Sequence, residues 1–560
     1  MPNSAISVIY AQKQHTRLIS CFSRRFPNPM SQSPRTKEDE REMANKSVFA
    51  SIKGRLLPKA TTRNAEGAPA YAYSDAHALA QVAVTGTFGG MFYTDPRDEL
   101  EYVVDLAEAV EPCFLAQAAI YARQSGYMKD MPAVLLAVLA RRDPALFRRV
   151  FGRVVDNGKM LRTFVQVMRS GQTGRKSLGS APKAMVQNWL NTASDRALLA
   201  ANIGNDPSLA DVIRMVHPKP ETKEREALFA WIVGRPCNLA LLPQALQDWL
   251  AFKAGAKGPV PDVPFQMLTQ LDLTPQHWAR IARKGSWQMV RQNLNTFQRH
   301  GVFNVAKNVA HVAALLRDPE AIGKARAFPY QLMVAAQNLS ADMPREIVEA
   351  LHDAMEIAVR NVPKIDGQVV VCPDVSGSMT CAVTGYRPGA TSVVRHVDVA
   401  ALVAAAFSRV NRGCQVLPFD FEVRDVRLEP RDTILTNAER LAALGGGGTT
   451  CSAPLKWLND RGRSPDLVVF VSDNQSWVDA RAGGQGTAML AEWEKVKRRN
   501  PKARLVCIDI APYGTSQVQT REDVLNIGGF SDAVFDQIAG FAAGRTGPDH
   551  WVGEIEKIEL

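Results

Sequence analysis

The chain has 560 residues, of which 46% are apolar and 22% charged, and a formal net charge of +11. That length exceeds what one hydrophobic core serves, so two or three domains are expected, and the composition is that of a soluble globular protein. No run of about 18 uncharged apolar residues occurs, so no membrane span is expected.

The charge is unevenly spread. Residues 366–560 carry 21 Lys and Arg against 24 Asp and Glu, a net of −3, which leaves +14 on residues 1–365. A basic part beside a nearly neutral one points to a polyanion partner held by the first two thirds; the bland alternative is that the Lys and Arg are scattered for solubility. The eight cysteines (Cys21, Cys113, Cys237, Cys372, Cys381, Cys414, Cys451 and Cys507) stand singly. Without CxxC spacing a structural zinc site is not expected. Cys372 and Cys507 read as small buried hydrophobes, and the usage favours a reducing, cytoplasmic compartment.

Residues 1–42 are polar and end in the charge run RTKEDERE, so they cannot build a packed core. They are expected to be a disordered extension or to precede a true start at Met43. Their early Arg-rich, transit-like character lacks an apolar region and a cleavage signal. From about 98 to 362 the pattern is helical: DELEYVVDLAEAVEP, DMPAVLLAVLARRD, PALFRRVFGRVVDNG, KMLRTFVQVMRSG and PREIVEALHDAMEIAVRNV repeat apolar residues at three- and four-residue spacing. Short Gly, Pro or Asp connectors join them, which predicts a helical-repeat array, with a compact bundle as the competitor.

Near residue 366 the pattern changes. QVVVCPDVS, CQVLPFDFEV, DLVVFVSDN and ARLVCIDIAPYG read as strands, alternating with the helical segments VDVAALVAAAFSRV, NAERLAAL, SAPLKWLND and AMLAEWEKVKRR and a final helix near DAVFDQIAGFA. Such alternation predicts a parallel sheet covered on both faces, with ligands at the carboxyl ends of its strands. The expected domains are 43–365 and 366–545, with 546–560 as a tail.

At that carboxyl edge DVSGSM places Asp374, Ser376 and Ser378. GGGGTTCSAP brings Thr449 and Thr450, and VVFVSDNQS ends in Asp473. Two carboxylates and several hydroxyls, with no His or Cys, form a donor set for a hard cation such as Mg²⁺. The alternative is that Asp374 and the serines only cap the next helix. GGGGTT is not a phosphate-binding loop, because neither a Lys nor a strand precedes it, and GQTGRKS at 171–177 has the wrong glycine spacing.

DxSxS after a buried strand, a later Thr and a strand-end Asp resemble the metal-ion-dependent adhesion site of von Willebrand factor A domains. By that resemblance Asp374, Ser376, Ser378, Thr449 and Asp473 hold Mg²⁺ or another divalent cation, directly or through water. The helical array followed by this domain resembles the Ro ribonucleoprotein family, whose bacterial members are Ro-related proteins and whose array is the TROVE module. DVIRMVHPKPE, WQMVRQNLNTF, KARAFPYQLMVAAQN and VLNIGGFSDAVFDQI carry further likeness, over about residues 44–545. Thr450 departs from the animal members, which often have Asp there. The resemblance implies a ring of HEAT-like helical repeats, over 86–362, closed by a Rossmann-like A domain. It also implies single-stranded 3′ ends of misfolded noncoding RNA in the ring, Y RNA on the outer face, and a tether through that RNA to polynucleotide phosphorylase in RNA quality control.

Binding unpaired RNA requires cations for phosphates and flat faces for bases. The candidates are Arg175, Lys176, Lys183, His217, Lys219 and Arg291. Arg175 and Lys176 lead, because Gly171, Gly174 and Gly179 let backbone approach closely. Arg291 could instead pair within its own helix, and His217 could cap one. No nucleophile paired with a base is visible, so an enzyme is not expected. The rival reading is a protein-adhesion scaffold whose metal takes an acidic side chain from a partner.

Overall fold

The computed structural model describes residues 57–560, apart from 326–328, 360–361, 384, 386–393, 430, 483, 512, 530 and 546–549. The extension expected over 1–42 lies outside them. Between Asp75 and Ala358 helix follows helix, and no strand intervenes among the described residues. Local signals set the boundaries. Asp143 accepts from the backbone N–H groups of Ala145 and Leu146 to start Pro144–Val154, and Asn157 caps Gly158–Ser170, which ends at left-handed Gly171. A cap of this kind contributes about 1 kcal/mol. Leu146, Phe147, Val150, Phe151 and Val154 line one face of the first helix; Met160, Leu161, Phe164, Val165 and Met168 line one face of the second. Phe147, Phe151 and Phe164 meet where the faces join, their ring centroids 5.5–5.7 Å apart. Each fully buried ring contributes roughly 1.5–3 kcal/mol.

The second domain holds a five-stranded parallel sheet in the order β4 (Gln415–Val416), β3 (Val369–Pro373), β5 (Leu467–Ser472), β6 (Arg504–Asp509), β8 (Val524–Gly528). Side chains alternate along β3. Val369 and Val371 face the core that holds the His396–Val410 and Ile434–Ala442 helices; Val370 and Cys372 face the core that holds Leu455, Leu490 and Trp493. The first of these cores runs on without a break into the helical array.

The array meets this domain at both of its ends. Its first helix, Asp75–Thr85, packs on β8, and its last, Arg345–Ala358, packs on Ile434–Ala442. Glu356 on that last helix accepts from the Ile434 N–H at 2.9 Å and pairs with Arg409 at 3.2 Å. A hairpin of β1 (Thr62–Arg63) and β2 (Pro69–Ala72) precedes the array and pairs antiparallel with β7 (Thr515–Ser516). The helices therefore form a ring that the A domain closes. Residues 550–560, read as part of a tail, are packed instead: Trp551 of the His550–Glu556 helix is fully buried against Pro112–Gln124. The segment CQVLPFDFEV yields only the two-residue β4, whereas β8 and the β1–β2–β7 ribbon were not anticipated.

Candidate metal centre and nucleic-acid interface

Four buried or edge strands of the sheet run into an aspartate: Asp374 after β3, Asp420 beyond β4, Asp473 after β5 and Asp509 at the end of β6. All four are buried. Their surroundings separate them. Arg424 holds Asp420 with two hydrogen bonds of 2.7 Å. Asp509 faces Asn474 and Gln81, and burial holds its carboxyl well above the usual range. Asp374 and Asp473 are left facing each other. Burial first, and then the charge of Asp473, push Asp374 up to about 7. Burial likewise raises Asp473, and the Glu66 carboxylate adds to the effect. Two like charges buried together require a cation or a proton.

The loops around them are tightly fixed. The Ser376 N–H donates to Asp374 Oδ1 at 2.8 Å and the Ser472 hydroxyl to Oδ2 at 2.6 Å. The Ser376 and Ser378 hydroxyls stand 3.3 Å apart, and that of Ser378 faces Asp473. The glycine run straps this loop from above: Gly377 N–H donates to the Gly447 carbonyl at 2.8 Å and Gly446 N–H to the Val375 carbonyl at 3.0 Å. A Cβ on Gly445 would lie 2.1 Å from the Val375 carbonyl oxygen, so only glycine fits there. The Thr449 carbonyl accepts from the Ser476 hydroxyl and the Trp477 N–H, which ties it to the loop after Asp473. Thr450 lines a cavity with Arg424 and Lys456, and both threonines are buried at this edge.

Asp374, Ser376, Ser378, Thr449 and Asp473 are thus buried on three adjoining loops. Among the described residues no three His, Cys, Asp or Glu side chains gather as a metal-binding group; the set depends on hydroxyls. Two uncompensated carboxylates with neighbouring hydroxyls fit a hard, oxygen-seeking divalent cation that keeps some water. The sequence reading missed the partners at this edge: Ser472, Asp509, Glu66 and Tyr93. Asp509 follows the same strand-end pattern as Asp473 and was open to detection, whereas Glu66 and Tyr93 belong to the other domain.

Of the six RNA candidates, five surround the Ser180–Thr192 helix. Arg175 and Lys176 are exposed on the loop before it. Gly171, Gly174 and Gly179 in that loop have φ of 83°, 87° and 72°. The Arg175 guanidinium lies toward Gly179, and the Lys176 stem lies over Gly171. Lys183 sits on the helix in line with Gln187 and Asn191, four and eight residues on. Gln187 donates to the His217 carbonyl at 3.2 Å and Asn191 to the Lys219 carbonyl at 3.0 Å, which brings those two residues to the same helix. The His217 backbone, with φ 50°, closes the Leu209–Val216 helix, and its ring is exposed. Arg291 stands apart: it is buried, donates to the Gln331 carbonyl at 2.7 Å and lies over the Trp287 ring.

A ring of helical repeats closed by a von Willebrand factor A domain is the class that this fold and site define. Residues 368–542 match the family model described as the Ro60 vWA domain. Over 537 residues the chain is 26% identical to the "RNA-binding protein RO60" of Deinococcus radiodurans, covering 87% of this chain and 96% of that protein. Its fold matches the crystal structure of the Deinococcus radiodurans RO (RSR) protein with a TM-score of 0.57 and 21% identity, over 84% of this chain and all of the other. No described helix is long and apolar enough to cross a membrane.

Proposed function

We propose that this protein binds RNA as a Ro-type ribonucleoprotein. The observation that carries the reading is the gathering of Arg175, Lys176, Lys183, His217 and Lys219 around one helix of the basic array. A homologue named as an RNA-binding protein supports it. In this reading single-stranded 3′ ends of misfolded noncoding RNA engage the ring, and a structured Y RNA lies on the outer face and can tether polynucleotide phosphorylase. The protein binds and sorts RNA in the cytoplasm and catalyses nothing. The A domain holds Mg²⁺ or a similar cation through Asp374, Ser376, Ser378, Thr449 and Asp473; the cation would neutralise the two carboxylates and lock the three loops. Filter binding of an RNA with a helix and a single-stranded 3′ tail, over a series of salt concentrations, tests the reading. Phosphate-driven binding weakens steeply with salt; binding indifferent to salt would refute it.

One observation favours the adhesion reading as a second function. Phe421, Trp477 and Val478 are 49%, 41% and 40% exposed and crowd Gly448, next to Thr449. An apolar rim beside a cation suits an acidic segment of a partner protein.

A further inference from the structure

The metal edge of the A domain is met by the turn between β1 and β2. In the turn between β1 and β2, Asn64 Oδ1 accepts from Glu66 N–H at 3.2 Å and Ala68 N–H at 2.9 Å, which fixes the turn. The turn is bonded to the loop that follows Asp473. Asn64 Nδ2 donates to the Ser476 carbonyl at 2.7 Å, and Ala65 N–H donates to Gln475 Oε1 at 2.9 Å. Gln475 is fully buried, and its own backbone N–H donates to Asp473 Oδ1 at 3.1 Å. One residue therefore links the turn to the carboxylate, its side chain holding the turn and its backbone N–H holding Asp473. A second segment of the array reaches the same place. Tyr93 packs edge-on against Tyr513, with centroids 5.3 Å apart, and its backbone N–H donates to the Tyr513 hydroxyl at 3.3 Å. The Tyr93 hydroxyl stands beside both Ser378 and Glu66.

Asp473, Ser378, Tyr93 and Glu66 thus form a line from the cation site to the turn. A serine that gives a lone pair to a cation has its proton free to donate outward, and a phenol beside it can accept that proton and donate its own to a carboxylate. Glu66 ends the line with a negative charge close enough to act on Asp473.

We infer that Tyr93 and Glu66 extend the cation site from within the chain as outer partners of Ser378, so that cation binding clasps residues 57–95 onto the A domain. This rests on the cation reading above. Glu66 acts at one remove, through Tyr93 or a metal-held water, in keeping with its absence from any three-carboxylate cluster. An acidic segment of another protein would have to displace the turn before it reached the site.

The test uses the full chain. Mg²⁺ and Mn²⁺ affinity is measured by calorimetry for the wild type, Asp374→Ala, Glu66→Gln, Tyr93→Phe, and Glu101→Gln as a charge-matched control on the following helix, Pro96–Ala109. Hydrogen exchange over 57–95 is followed with and without Mg²⁺, and circular dichroism confirms that each variant is folded. Loss of an outer partner weakens metal binding by about 10–100-fold. Glu66→Gln and Tyr93→Phe are expected near the lower end of that range, with Glu101→Gln unchanged. Mg²⁺ should slow exchange over 57–95 in the wild type and much less in the two variants. If the wild type binds metal, Asp374→Ala does not, and Glu66→Gln and Tyr93→Phe match the wild type in both measurements, the clasp is wrong and the cation site stands. If the wild type binds no metal, the cation reading falls and the clasp with it.

Discussion

Trp551 donates its indole N–H to the Tyr121 hydroxyl at 3.2 Å, across 430 positions of chain. The indole is fully buried and also meets the His77 ring edge-on at 5.3 Å, so one side chain joins the C-terminal helix to two helices at the start of the ring.

Trp551→Ala should therefore destabilise the protein by about 3–5 kcal/mol, the cost of emptying an aromatic site in a core. Tyr121→Phe should cost only about 1 kcal/mol, since it removes one hydrogen bond and keeps the ring. Urea unfolding measures both. Equal effects would mean that the indole adds no packing.

At the metal centre Asp374→Ala should abolish Mg²⁺ binding in calorimetry. Ser472→Ala removes the 2.6 Å bond that orients Asp374 and should weaken binding by roughly tenfold, as loss of an orienting partner does. An undiminished affinity in Asp374→Ala would remove that residue from the site.

For RNA, the Arg175→Ala, Lys176→Ala double variant should weaken single-strand binding. Each lost phosphate contact should flatten the salt dependence by about 0.7 in log–log slope. Arg291→Ala should instead cost roughly 1.5–3 kcal/mol of stability, because its charged, buried bond to Gln331 is lost, and leave the slope unchanged. Asp374→Ala should also leave the slope unchanged; if it alone lost RNA, the RNA would be held through the metal.

The seam around His77 predicts a pH dependence. Burial pushes His77 and His396 down to about 4. The unfolded chain, with an ordinary value near 6.5, then binds protons that the folded chain refuses. Stability is fully present above about pH 6.5 and falls as pH drops toward about 4, by up to roughly 3 kcal/mol for each ring. His77→Phe keeps a ring in place and should shrink the loss of thermal midpoint between pH 7 and 4.5.

Much of this was legible because the signals are local. Apolar spacing marked helices such as Gly158–Ser170, and DVSGSM and VVFVSDN marked two strand ends. Thr449 and Thr450 are adjacent in sequence and differ only in their surroundings: Thr450 lines a cavity with Arg424 and Lys456, whereas the Thr449 carbonyl is bonded to the loop after Asp473. The β1–β2–β7 ribbon was hidden because two- to four-residue strands carry too little alternation to register. β8 was hidden in VLNIG, where a buried asparagine, Asn526, breaks the apolar run. Arg291 looked like a surface cation because sequence does not display burial. Glu66 was beyond reach for another reason: nothing near it in the chain marks it as a neighbour of Asp473.

The pairing of Tyr71 with Ser516 also sets an order of events at the ribosome. β2 emerges early, and its partner β7 is made only after the whole array and most of the A domain. At about 5–20 residues per second that interval is on the order of 20–90 s. Throughout it the nascent chain carries an open strand edge and a first helix, Asp75–Thr85, with nine buried residues and no β8 to cover them. A growing chain of this design therefore keeps that edge and that helix uncovered until its last fifty residues are made.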